Sequence, residues 1–153
     1  MKTRILSVLH GTNSSIMIEI QKIWFEGDWL FGQDSSGKIY KQSILWYRRL
    51  VDATEEQRNN YELSDEGMHW RCIDEDISFD SFIDRNGVEP TKMQKFFLSH
   101  REFNISGLTK VLGLSPSVLY DYINGWKIPS QQMVEDIRNG LLLYARNLEQ
   151  VTF

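Results

Sequence analysis

Ile16, Ile18 and Ile20 alternate with Met17, Glu19 and Gln21, and the alternation resumes one residue out of phase at Ile23 and Phe25. That is the two-residue period of a half-buried strand carrying a β-bulge. Glu26-Gly27-Asp28 suits a tight connection into a second strand through Trp29, Leu30 and Phe31. Asp34-Ser35-Ser36-Gly37 makes a second turn into a third strand over Lys38 to Leu45. Thr54 stands three residues before Gln57, the spacing of a capping box, so Thr54 to Tyr61 reads as a short helix. Met68 to Ile73 reads as a fourth strand, and Ser78 as the cap of a last short helix whose Phe79, Phe82 and Ile83 return to the sheet.

Beyond residue 91 the period changes to that of helices. Met93, Phe96, Phe97, Ser99 to Arg101 and Phe103 fit a first helix with an aromatic face. Asn104 is placed to cap a second, with Leu108, Val111 and Leu112 on its apolar side and Gly113 where a residue without Cβ ends a helix. Ser115 and Pro116, a capping oxygen followed by a ring suited to the first helical position, start a third. Val118, Leu119, Tyr122 and Ile123 lie on its inner side, and Asn124-Gly125 closes it. Pro129 and Ser130 lead into a fourth helix with Met133, Val134, Ile137, Leu141, Tyr144 and Leu148 along one stripe and Gly140 a weak spot within it. The expected class is α+β: a small antiparallel sheet module with short helices, then an all-α helix-turn-helix domain of about four helices.

Composition adds a boundary. With 153 residues, 41% apolar and 25% charged, the chain is long enough to bury a core and is neither disordered nor low in complexity. Its formal charge of −4 argues at first against nucleic acid. The average conceals a division: Met1 to Thr91 holds 10 basic and 16 acidic residues, net −6, and Lys92 to Phe153 holds 7 and 5, net +2. The polar stretch 84–91, with Gly87 and Pro90, reads as the linker, giving an α+β module over 1–88 and a helical domain over 89–153. One cysteine, Cys72, favours a reducing cytoplasm. The apolar stretch Ile5 to Leu9 behind Lys2 and Arg4 is too short for a signal-peptide core, and no run approaches a membrane span.

Trp46-Tyr47-Arg48-Arg49-Leu50, Ala53 to Arg58, Gly67-Met68-His69-Trp70 and Ile73 to Ser78 resemble a bacterial family, the α+β module catalogued as domain-of-unknown-function family 2442, over roughly residues 16 to 84. The resemblance implies no activity; it implies partners only through an association with toxin–antitoxin-like gene pairs.

Candidate chemistry in this half is sparse. His69, Cys72, Asp74, Glu75 and Asp76 include metal-ligand types. On a strand from Met68 to Ile73, however, His69 and Cys72 differ in parity and point to opposite faces, so a hydrogen-bonded His69 and a solvated acidic run are expected instead. Arg48 and Arg49 could bind an anion, but as adjacent arginines near a strand end they read rather as a solvated face or as partners of nearby carboxylates. The three histidines are scattered, and no zinc helix, nucleophile elbow, dinucleotide fingerprint or P-loop occurs, so neither an enzyme nor a cofactor is expected.

Two short helices joined by Leu112-Gly113-Leu114-Ser115 make a helix-turn-helix, in which the second helix enters the major groove. Ile105 to Ser115, Val118-Leu119, Tyr122-Ile123, Asn124-Gly125 and Lys127 to Ser130 are similar to the Cro/repressor (lambda-repressor-like, XRE-type) family over roughly residues 92 to 148. They depart from it at Thr109, where a small Ala is usual, and in lacking a separate fifth helix. The face left for DNA is Ser115, Ser117, Tyr120, Asp121 and Asn124, with Lys127 beyond the helix end and the free amides near Ser106 as a phosphate site. Asn124 suits adenine, Ser117 and Tyr120 suit bases or phosphates, and Lys127 suits the backbone, whereas Asp121 repels phosphate unless it accepts from a cytosine amine. The expectation is a DNA-binding regulator on double-stranded DNA, working as a homodimer because one recognition helix covers few base pairs. The alternative is an antitoxin-like adaptor that binds a basic toxin-like protein and no DNA.

Overall fold

A computed structural model describes the backbone of Ile5–Leu9, Thr12–Ile16 and residues 18–153, and the side chains of residues 18–153. The chain divides into two compact units, Met1–Glu89 and Pro90–Phe153. Lys2, Arg4 and Met17, which entered the sequence reading, lie outside the described residues.

Among the described residues the first unit holds three antiparallel sheets. Strands β1 (Ile5–Leu9) and β2 (Thr12–Ile16) form a two-stranded ladder in which Ser7 pairs with Ser14. Strands β3 (Ile20–Glu26), β4 (Trp29–Asp34) and β5 (Ile39–Ser43) form a meander. The bulge read from the broken alternation is present, as a register shift between Ile20 and Lys22. The strand starts at Ile20, not at Ile16, because Ile16 already pairs with Ile5 in the preceding ladder. Gly27, at φ +56°, turns β3 into β4. Asp34 builds the next turn: one carboxylate oxygen accepts from Ser36 N at 2.9 Å, Ser36 Oγ at 2.7 Å and Lys38 N at 2.9 Å.

The third strand is shorter than expected. Ser43 Oγ accepts from Leu45 N, and residues Ile44–Trp46 wind into a 3₁₀ turn before α1 (Arg48–Asp52). Arg48 and Arg49 therefore open a helix and do not end a strand; Arg48 pairs with Asp52 at 2.7 Å and Arg49 with the Asp74 carboxylate at 3.4 Å. Helix α2 (Glu55–Asn59) carries the expected reciprocal capping box, Thr54 N to Gln57 Oε1 at 2.9 Å and Gln57 N to Thr54 Oγ1 at 3.2 Å, and ends two residues before Tyr61. Strands β6 (Glu62–Leu63), β7 (Gly67–Trp70) and β8 (Glu75–Ser78) make the third sheet. The strand expected over Met68 to Ile73 stops at Trp70, because residues Arg71–Ile73 form a 3₁₀ turn that closes on Asp74 in the left-handed region at φ +54°. Ser78 is no helix cap: it is the last residue of β8, its hydroxyl accepts from Asp80 N, and α3 (Ser81–Asp84) follows Asp80.

One apolar core collects Ile23 and Leu30 from the meander, Met68, Trp70 and Ile77 from the third sheet, and Phe79 and Phe82 from the α3 segment. Phe82 lies so close to Gly32 that a Cβ there would stand 2.6 Å from its ring, and a Cβ on Gly67 would stand 2.4 Å from Ile77 O. Both glycines are close-approach positions between elements.

The second unit has four helices: α4 (Lys92–Ser99), α5 (Ile105–Leu112), α6 (Pro116–Asn124) and α7 (Gln131–Glu149). Helix α4 opens with a second capping box between Thr91 and Gln94, at the same spacing as Thr54 and Gln57. It ends at Ser99, so Arg101 and Phe103 fall outside it. Phe97, Leu98, Leu108, Leu119, Ile123 and Ile137 form the buried interior. Val111, expected on the apolar side of α5, is half exposed, as is Leu148 at the far end of α7. Gly140 is a contact position: a Cβ there would meet Leu112 Cδ2 at 2.1 Å, so the missing side chain lets α5 and α7 approach. No helix among the described residues is long and apolar enough to cross a membrane.

Candidate functional site

The segment from Asn104 to Pro129 is fixed almost wholly by local chemistry. Asn104 Oδ1 accepts from Gly107 N at 3.1 Å and starts α5. Gly113 stops it in the left-handed conformation at φ +68°. Ser115 Oγ accepts from Val118 N, Pro116 takes the first turn of α6, and Gly125 closes that helix at φ +79°. Leu119 and Ile123 bury one side of α6, with Val118 and Tyr122 half-buried beside them. Thr109 is buried against the same interior with its hydroxyl donated to Ser106 O at 2.9 Å, so the larger residue leaves no unsatisfied polar atom in α5.

The outer side of α6 carries the candidate residues. Ser115, Ser117 and Tyr120 are exposed, and Asp121 and Asn124 are partly so. The two serine hydroxyls lie 3.2 Å apart, and Asn124 Nδ2 donates to Tyr120 O at 3.0 Å, which sets the position of the amide. Lys127 Nζ forms an ion pair with the Asp121 carboxylate at 2.9 Å. That carboxylate holds the ammonium above its ordinary pKa, so the lysine stays charged. The Asp121 carbonyl accepts from Trp126 N at 2.9 Å and Lys127 N at 3.2 Å, so this one residue holds the loop after α6 by both backbone and side chain. Ser106 is exposed on the first turn of α5.

Four residues that the sequence reading passed over belong to the same surface. A cleft of about 210 Å³ brings His100 and Arg101 beside Tyr120 and Asn124. Trp126 and Ile128, 62% and 94% exposed, stand in the loop beyond α6 next to Lys127. The second pair had a signal, two large apolar side chains in a short loop between Gly125 and Pro129; the first depends on packing of α4 against α6 and had none.

In the first unit His69 is held from both ring nitrogens, by Ser64 Oγ at 2.8 Å and an Asp76 carboxylate oxygen at 2.6 Å. The parity argument does not reach Cys72, which sits on the 3₁₀ turn with its thiol 3.7 Å from Gln57 O. Among the described residues no group of three or more His, Cys, Asp or Glu side chains is placed to hold a metal ion. The outer face of the meander is aromatic but already covered: Trp24 stacks on Phe31 at 5.3 Å, Lys22 lies over Trp24 at 5.5 Å and Lys41 over Trp29 at 4.4 Å.

No curated protein and no solved structure matches the chain. Residues 33–86 match the family described as "Protein of unknown function (DUF2442)", which agrees with the resemblance read from the N-terminal motifs and covers the end of β4, all of β5, α1 to α3 and the third sheet.

Proposed function

We propose that the protein is a non-enzymatic DNA-binding regulator of the helix-turn-helix, Cro/repressor-like kind, acting as a homodimer on double-stranded DNA with α6 as the recognition helix. The observation that carries the reading is the capped α5–turn–α6 segment, in which Gly113, Ser115 and Pro116 fix the turn while Tyr120, Asp121 and Asn124 remain on the solvent side of α6. Asn124 suits an adenine edge, Ser117 and Tyr120 suit bases or phosphates, and Lys127 suits the backbone, with Arg101 adding charge beside them. Asp121 tempers the affinity by pairing with Lys127 and by facing phosphate.

The test is a binding screen of the full chain against fragments of its own upstream region at low and physiological salt. One fragment should be preferred with a negative salt slope. Asn124→Ala should cost about 1–3 kcal/mol of affinity at that fragment, and Lys127→Ala should flatten the slope by about one, each with an unchanged circular-dichroism spectrum. Equal, weak retention of every fragment at both salts overturns the proposal.

The excess of 16 acidic over 10 basic residues in the first 91 positions favours a second reading, an adaptor for a basic toxin-like protein. A stable complex with the product of a neighbouring gene, together with failure of the DNA screen, selects it.

A further inference from the structure

Helix α7 is longer than its own unit can cover. Its 19 residues span about 28 Å, and one flank of it, with α4, borders a groove of about 580 Å³ lined almost entirely by apolar side chains, among them Met93, Phe96, Leu141, Leu142 and Ala145. Leu142 and Leu148 on the same helix are 41% and 53% exposed. A groove of this size next to open leucines is the kind of surface that marks an interaction site.

The sequence of that flank specifies an occupant. Arg138, Leu142, Ala145 and Glu149 follow one another at spacings of four, three and four, so they form one stripe of the helix surface. The spacing reads the same in both directions about the midpoint between Leu143 and Tyr144. When a second α7 is laid antiparallel across it on a two-fold axis, Leu142 of each copy faces Ala145 of the other and Arg138 of each copy faces Glu149 of the other. Large meets small and cation meets anion twice over, which is the self-complementarity a two-fold interface requires. Arg138 and Glu149 form no ion pair among the described residues, so both charges are available.

We infer that the α4–α7 groove is the homodimer interface, filled by a second copy of this chain through antiparallel α7 pairing centred between Leu143 and Tyr144. The inference names the partner surface of the dimer proposed above, and rests on that reading only for what the dimer does. The exposed face of α6 is no part of this stripe, so pairing and DNA contact are separable.

The experiment is sedimentation equilibrium of the full chain without DNA. Twice the mass of one chain is expected at micromolar concentration. Leu142→Glu, at an exposed position that leaves the fold intact by circular dichroism, should raise the dimer Kd about a hundredfold. Arg138→Glu and Glu149→Arg should each raise it about fivefold or more, since two pairs become repulsive per dimer, and the double reversal should restore it. Asn124→Ala and Lys127→Ala should leave it unchanged, so failure of DNA binding and failure of dimerisation are read separately. A monomer at all concentrations overturns the inference, as does a dimer indifferent to Leu142→Glu or a double reversal no better than the singles.

Discussion

Three glycines of the first unit look alike in the sequence and differ in what they do. Gly67 lies under the Ile77 carbonyl, Gly32 under the Phe82 ring, and Gly27 has open space around it but a positive φ. Backbone cannot retreat as a side chain can, so Gly67→Ala should cost the most, about 2–3 kcal/mol by chemical denaturation, with Gly27→Ala nearer 1–2 kcal/mol from left-handed strain. Equal losses at the two sites would contradict that ranking. Asp34 is a different kind of residue-scale device. Its hydrogen bonds from Ser36 and Lys38 hold its carboxyl below the ordinary pKa. A depressed acid contributes stability that is complete above the unfolded value of about 3.9 and lost as pH falls through the lower folded value. Asp34→Asn should therefore remove part of the acid sensitivity of unfolding, a change visible as a smaller drop in the denaturation midpoint between neutral and acidic pH.

At the scale of elements, what was legible was what is locally encoded. Asn104, Gly113, Ser115, Pro116 and Gly125 each act within three or four residues of themselves, so the ends of α5 and α6 are legible from the sequence alone. Ser115→Ala should destabilise the second unit by about 1 kcal/mol through loss of a cap, seen as a lower thermal midpoint with the spectrum of the folded state unchanged. What was not legible depends on distant partners. The 3₁₀ turn after Trp70 is held where the Arg49 guanidinium bonds to Asp74 O, 25 residues away in sequence. Gly140 looked like a flaw in α7 because Leu112 is invisible from within that helix. The capping box at Thr91 is the exception, since its signal is as local as the one recognised at Thr54.

At the scale of the whole molecule the charge division and the compact units coincide: an acidic α+β unit and a slightly basic helical one, with the boundary near Pro90. If α6 reads DNA as proposed, a helical unit with net +2 and an Asp121–Lys127 pair on the outer side of that helix should bind modestly per subunit and lose affinity with salt. Asp121→Asn should raise affinity about threefold to tenfold by releasing Lys127 and removing a like charge from the phosphates, measured by fluorescence anisotropy at fixed salt; a weaker complex would place Asp121 on a cytosine amine instead. The DNA contact proposed above lies on α6 and the loop after it. The direct measurement is an amide chemical-shift map of the full chain titrated with its preferred upstream duplex. Perturbations are expected at Ser106, along α6 from Ser115 to Asn124 and through Trp126 and Lys127, while residues 18–89 keep their positions. Perturbations confined to the first unit, or none at low salt, would contradict it.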